Sequence, residues 1–113
     1  MKKIAAIIAG AALTLSMGVY ADANVKSALK HAEAAVEHGK MGHAPKIVEH
    51  AKAALEDTLS AAITTKGQTK THVEAASKSL QEAIEHGTLG HAEMATKPAE
   101  AAVEHLKAAD STK

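Results

Sequence analysis

The chain has 113 residues, in which 13 basic residues balance 13 acidic ones, and it contains no cysteine. All the basic residues are lysines, and Tyr20 is the only residue of the phenylalanine, tyrosine and tryptophan group. Nucleic-acid binding has no support, because the chain lacks a basic excess and aromatic rings on which bases could stack. Disulfides and cytochrome-type haem attachment are excluded, since both require cysteine.

The first residues follow the pattern of a secretory signal peptide. Two lysines precede an apolar run of about a dozen residues, from Ile4 to Leu15, and small residues follow. The run is well below the roughly 20 residues that a helix needs to cross a bilayer. We therefore predict a signal peptide at residues 1–21, with cleavage after Ala21 or Ala23, and a protein that acts outside the cytoplasm without contacting the membrane.

The remaining residues, 22–113, are rich in helix-forming alanine, glutamate, lysine and leucine and show no strand-type alternation. They suffice for one domain. Glycine and threonine clusters divide them into four predicted helices, near 24–38, 44–63, 71–86 and 92–110. Short connections place neighbouring helices antiparallel, so the predicted fold is all-α, an up-down four-helix bundle made of two repeated hairpins, 24–63 and 71–110.

Apolar residues recur at the spacing of a buried seam in the first two helices. In the first helix the seam is Val25, Leu29, Ala32 and Val36, and in the second it is Val48, Ala51, Leu55, Leu59 and Ala62. Pro98 interrupts the last segment. It either kinks one helix or marks the first turn of a helix capped by Thr96, which would leave 92–95 as a separate turn.

An internal repeat relates the two hairpins at an offset of 48 residues. Residues 24–44 align with residues 72–92 without gaps, and the best-matched part surrounds the two glycine-containing turns. Beyond residue 92 the match requires a shift, because the tripeptide Val-Glu-His at residues 48–50 recurs at residues 103–105.

The eight histidines all follow the predicted signal peptide, and those of the first hairpin are spaced seven, five and seven residues apart. Seven residues are close to two helical turns, so each helix carries its two histidines on one stripe. Counting outward from the turn predicts that His38 faces His43 and that His31 faces His50 one heptad lower. Asn24 and Asp57 form a third level.

The second hairpin uses the same levels with different occupants. His86 should face His91 at the turn, Ser79 should face Pro98 at the middle level, and His72 should face His105 at the third level. Each histidine therefore has a predicted histidine partner on the neighbouring helix, at the flank of the core.

Paired imidazoles across two helices are suited to Cu(II), Zn(II), Ni(II) and Co(II), and the Irving–Williams order favours copper. No cysteine completes a closed zinc site, so we predict several open sites with two histidines each. Carboxylates near in sequence could add donors: Glu37, Glu49, Asp57, Glu85 and Glu104. The predicted metal ligands are His31, His38, His43, His50, His72, His86, His91 and His105.

Histidines repeated on alanine- and glutamate-rich helices behind a signal peptide resemble the small metal-binding protein family. The resemblance covers essentially the whole predicted mature chain and depends on segments such as residues 30–39 and 42–44. It implies a periplasmic bacterial four-helix bundle that is associated with copper and binds other metals. Ser79 and Pro98 depart from this pattern, because they stand where the repeat would place histidines.

Other readings of these residues remain open. A histidine taken singly is usually a solvated surface residue, and the set could serve as pH sensors in a periplasmic helical chaperone or interaction protein. The sequence contains no recognisable catalytic motif, so we expect the protein not to be an enzyme. We also expect it to be a monomer whose binding partners are metal ions. Met41, Leu89 and Met94 lie near the turns, where such residues usually cover the core, although methionine is also a soft ligand for Cu(I).

The signal peptide leads to a direct prediction. Mass spectrometry of the exported protein should find a chain that begins at Asp22 or Asn24, because the small residues before these positions fit signal peptidase. Recovery of the intact residues 1–113 from the periplasm would contradict the assignment.

Overall fold

The computed structural model describes the backbone of residues 2–112 and the side chains of residues 21–112. Within this range the chain forms four helices and no strand, which confirms the predicted all-α fold. The helices are α1 (Lys2–Lys40), α2 (Ala44–Thr64), α3 (Gly67–Thr88) and α4 (Ala92–Ser111). Most of the predicted signal peptide, residues 1–20, lies outside the described side chains.

The four helices form a ring in chain order. Helix α1 packs against α2 and α4, and α3 packs against α2 and α4, with a smaller contact across the diagonal between α2 and α4. Short connections make each helix antiparallel to the next, so the two hairpin turns lie at the same end of the bundle. Among residues 21–112, no helix combines the length and apolar character that a membrane span requires.

Both hairpin turns have the same backbone conformation. Gly42 and Gly90 adopt φ values of +78° and +82°, a left-handed region that favours glycine. Each turn is closed by an amide that reaches back five residues, from His43 N to His38 O at 2.9 Å and from His91 N to His86 O at 3.0 Å. These bonds satisfy carbonyl groups that the end of a helix would otherwise leave unpaired.

The connection between the hairpins is shorter than the sequence analysis predicted. Helix α3 begins at Gly67, and only Thr65 and Lys66 separate it from α2. Gly67 has a φ of +61°, which lets the chain reverse direction within this short connection.

The core is lined mainly by alanine. Among residues 21–40 of α1 the buried positions are Val25, Ala28, Ala32, Ala35 and Gly39, and in α2 they are Ala44, Ile47, Ala51, Ala54, Thr58 and Ala61. The predicted seams were therefore partly wrong. The larger residues Leu29, Val36 and Leu55 pack against the edge of the core, and Leu59 is exposed. Small side chains let the helix backbones approach closely, so large side chains such as Ile47 are buried at only a few positions.

The repeat keeps its offset of 48 residues through the last helix. Ile47, Ala51 and Ala54 are buried in α2, and their equivalents Ala95, Ala99 and Ala102 are buried in α4. The shift that the sequence match requires beyond residue 92 is therefore not a shift of the fold. The second Val-Glu-His tripeptide lies one heptad further along an unshifted helix.

A polar contact joins α2 and α3 inside the bundle. Ser77 Oγ donates a hydrogen bond to Thr58 Oγ1 at 2.8 Å, and Thr58 Oγ1 donates to the carbonyl oxygen of Leu55 at 2.8 Å. Both side chains are buried, so a slip between the helices would break the bond between the two hydroxyls and leave each with only a carbonyl acceptor on its own helix. The pair therefore favours one register of the two hairpins.

Pro98 lies inside α4, which is a single helix from Ala92 to Ser111. The structure therefore excludes a separate turn at 92–95 with Thr96 as a cap. Thr96 instead donates its hydroxyl to the carbonyl of Ala92 at 2.7 Å, a bond within the helix.

Two glycines mark the closest approach between the hairpins. A Cβ atom built at Gly39 would meet the side chain of Thr96, with Thr96 Cβ at 2.9 Å, and one built at Gly87 would lie 2.7 Å from Val48 Cγ2. These contacts are equivalent under the offset of 48 residues. Neither position tolerates a side chain unless its neighbour moves.

Gly87→Ala should therefore lower the free energy of unfolding by about 1–3 kcal/mol through overpacking. Helix propensity alone would act in the opposite direction, because alanine stabilises a helix by about 1 kcal/mol relative to glycine. Chemical denaturation measures the effect, and the same substitution in a Val48→Ala background is the control, because the smaller side chain leaves room. An equal cost in both backgrounds would contradict the packing argument.

Candidate metal sites

Each histidine directly precedes a position that faces the core or its edge. His31 precedes the buried Ala32, and His50 precedes the buried Ala51. Six histidines are half-buried, and His43 and His91, at the starts of α2 and α4, are exposed. The imidazoles therefore lie at the flanks of the bundle, where they are open to solvent while their backbones are fixed by the alanine core.

Four imidazoles form a continuous row along the α1–α2 hairpin. The ring centroids of His43 and His38 are 5.9 Å apart, those of His38 and His50 are 5.2 Å apart, and those of His50 and His31 are 5.8 Å apart. The two same-level pairs that the sequence predicted thus have their rings close together. We call these four residues the α1–α2 histidine row.

The contact between His38 and His50 joins two levels, and it was not predicted from the sequence. Counting levels treats a hairpin as a flat ladder, whereas a helical side chain leans towards the N-terminus of its own helix. His38 on α1 therefore leans away from the turn, and His50 on the antiparallel α2 leans towards it. The antiparallel arrangement was predicted from the sequence. Combined with the rule that side chains lean towards the N-terminus of their helix, it is sufficient to predict this contact.

The α3–α4 hairpin brings fewer imidazoles together. The ring centroids of His72 and His105 are 6.2 Å apart, at the predicted third level. No ring contact joins His86 and His91 among the described side chains, although their turn has the backbone of the first one. Pro98 occupies the position equivalent to His50, so His86 lacks the second imidazole that flanks His38.

The spacing of the paired rings fits a shared metal ion. With metal–nitrogen bonds of about 2.0–2.1 Å, two imidazoles on one ion have centroids roughly 4.5–6.3 Å apart, for angles at the metal of about 90–180°. All four measured separations fall in this range. The rings of His38 and His50 are stacked with an interplanar angle of 9°, so one must rotate before both can point a nitrogen at the same ion.

The other expected donors do not join these pairs. Asp57 accepts a hydrogen bond from Ser27 Oγ at 2.7 Å, and Glu49 pairs with Lys46 at 3.3 Å. In residues 21–112, no three side chains among histidine, aspartate and glutamate converge into a preformed metal site. Each pair therefore offers two nitrogens and leaves the other coordination positions to water or to side chains that move.

Two further details concern which ring nitrogens can reach an ion. His43 and His91 are the N-cap residues of α2 and α4, but neither imidazole caps its helix, so both remain available. The Nδ1 atoms of His38 and His86 are buried without a hydrogen-bond partner. An ion that approaches these two rings from solvent would therefore meet Nε2.

Electrostatics single out His50 in the row. Burial lowers its pKa below the ordinary value of 6.5, and the neighbouring His38 and His31 lower it further, because a charged imidazolium would face two rings that can also carry a proton. Glu49 opposes this effect, and Lys46 adds to it. A metal ion binds the neutral imidazole, so the lowered pKa of His50 reduces the competition of protons with metal at this ring as the pH falls.

The fold and its histidine pairs define a class of protein: a small helical bundle with imidazoles paired along the flanks of its hairpins. The sequence model described as "Small metal-binding protein" matches residues 1–109. The chain therefore belongs to the small metal-binding protein family, as the resemblance in the sequence indicated. No curated protein matches the chain.

The environment of His50 predicts a specific change in its titration. His38→Gln removes one of the groups that lower the pKa of His50, so that pKa should rise towards 6.5, as measured by NMR titration of the metal-free protein. His43→Gln is the control, because His43 is not among the groups that act on His50.

The same shift predicts a loss of stability in acid. The folded protein disfavours protonated His50, so its contribution to stability is complete above pH 6.5 and is lost as the pH falls through the lower folded pKa. A pKa of His50 at or above 6.5 in the folded protein would contradict both expectations.

Proposed function

We propose that this protein binds and buffers divalent transition metals, copper foremost, through histidines paired across antiparallel helices. The observation that carries the proposal is the α1–α2 histidine row, in which successive ring centroids lie 5.2–5.9 Å apart. Membership of the small metal-binding protein family supports metal binding as such. The choice of copper follows from imidazole ligation and the Irving–Williams order, with zinc, nickel and cobalt as weaker competitors.

We place this activity in the periplasm. The basic, apolar and small-residue regions at the start of the chain fit export by a signal peptide. Imidazole suits such a compartment as a metal ligand because, unlike a thiol, it is not converted to a disulfide in an oxidising environment.

We also propose that the protein acts as a binding protein rather than an enzyme. The histidines lie on the flanks of a bundle whose interior is packed mainly with alanine and a few larger apolar side chains such as Ile47, Leu80 and Leu106. A two-histidine site on such a flank can hold an ion and release it, but it provides no enclosed pocket for a second reactant.

Calorimetric titration with Cu(II) tests the proposal, and a mutant cycle tests the geometry. His50→Ala should remove the site shared with His31, so the double variant His31→Ala/His50→Ala should lose no more bound copper than His50→Ala alone. The corresponding thermal stabilisation by metal should fall in the same way, by roughly 2.7 kcal/mol per lost site at a hundredfold excess of metal over Kd.

A second pair of substitutions serves as the control for this cycle. His31 and His72 belong to different hairpins and have different ring partners, so the losses from His31→Ala and His72→Ala should add. Additive losses from His31→Ala and His50→Ala would mean that these two residues bind separate ions. A wild-type chain that takes up no Cu(II) would refute the proposed function.

A further inference from the structure

The end of the bundle that carries both hairpin turns exposes three large apolar side chains. Met41 is 57% exposed, Leu89 is 68% exposed, and Met94 is 53% exposed. The expectation that these residues cover the core is therefore wrong. Their exposure makes the two thioether sulfurs accessible from solvent, at positions close in sequence to histidines.

Met41 lies between two histidines of the α1–α2 row. Its amide donates to the carbonyl of His38 at 3.2 Å, and the amide of His43 donates to the same carbonyl at 2.9 Å, so the turn holds all three residues together. The imidazoles of His38 and His43 are themselves a close pair, with centroids 5.9 Å apart. Met41 also lines a surface depression at the turn, together with Glu37 and Lys40.

Met94 has a related position on the second hairpin. It lies in the first turn of α4, three residues after His91, which is the N-cap residue of that helix. Both side chains are exposed, and the imidazole of His91 does not cap the helix. Met41 and Met94 are the only methionines in residues 21–112.

We propose that the turn end binds Cu(I), with His38, Met41 and His43 as one ligand set and with His91 and Met94 as a second. This inference rests on the proposed function, since it assumes that the histidines bind metal. Thioether sulfur is a soft ligand that selects Cu(I), whereas imidazole also suits divalent ions such as Cu(II) and Zn(II). The lower pairs, His31 with His50 and His72 with His105, have no methionine in their sequence neighbourhood and keep the preference for divalent ions.

The internal repeat supplies a matched substitution. Leu89 occupies the position equivalent to Met41, in a turn with the same backbone conformation. Met41→Leu therefore introduces a residue that the second turn already carries, and the two side chains have similar volumes, so the fold should be retained. Met94→Leu removes the second thioether without a change of charge.

The test measures Cu(I) and Zn(II) affinities of the full chain under anaerobic conditions, by competition with colorimetric chelators. Loss of a residue that only hydrogen-bonds to a metal ligand typically weakens metal binding by about 10–100-fold. Met41→Leu/Met94→Leu removes ligands themselves, so it should weaken Cu(I) binding by at least about that factor. Zn(II) binding should stay within about twofold, because zinc is ligated through imidazole. The reverse substitution, Leu89→Met, should strengthen Cu(I) binding at the second turn.

A second measurement follows the sulfur atoms directly. With methionine labelled by ¹³C at the ε-methyl group, the signals of Met41 and Met94 should shift on addition of Cu(I) and should stay in place on addition of Zn(II). Unchanged Cu(I) affinity in the double variant, together with unshifted methyl signals, would overturn this inference. Normal Zn(II) binding in the same experiment would still support metal binding by the histidines. Failure of the unsubstituted chain to bind either ion would refute both.

Discussion

Close packing of small side chains is the constraint on which the rest of this structure depends. A core lined by Ala28, Ala32 and Ala35 on α1 and by Ala51 and Ala54 on α2 lets the two helices approach closely. Because each histidine directly precedes a core-facing position, this approach sets the distance between imidazoles across the hairpin. Larger residues in the seam would move the helices apart and separate rings that now lie within 6 Å of each other.

The internal repeat separates the scaffold from the sites. Equivalent core positions remain buried at an offset of 48 residues, and both turns have the same backbone, so the two hairpins provide the same grid of flanking positions. Only the occupants differ: His31 and His50 on the first hairpin correspond to Ser79 and Pro98 on the second. The first hairpin therefore carries a continuous row of imidazoles, while the second carries one close pair far from the turn.

The sequence predicted the fold and most of the pairing, because both depend on periodicity. Spacings of seven residues around a glycine turn fix which residues share a level, and that alone placed His72 opposite His105. Two features could not be obtained in this way. The predicted seam included larger apolar residues such as Leu59, which is exposed, because hydrophobicity alone does not reveal which stripe of a helix packs most closely. The contact of His38 with His50 depends on the direction of the side chains, which counting heptad levels from the turn ignores.

The lack of a third converging donor in residues 21–112 bears on how the proposed sites would work. A closed site with four protein ligands holds its metal as part of the fold, and its release requires unfolding or ligand loss. Two imidazoles on a solvated flank leave coordination positions to water, which another ligand can replace without disturbing the core. On the proposed function, the row further allows an ion bound by His31 and His50 to pass to His38, because His50 contacts both rings. Buffering and exchange, rather than permanent retention, are the behaviour that such an arrangement favours.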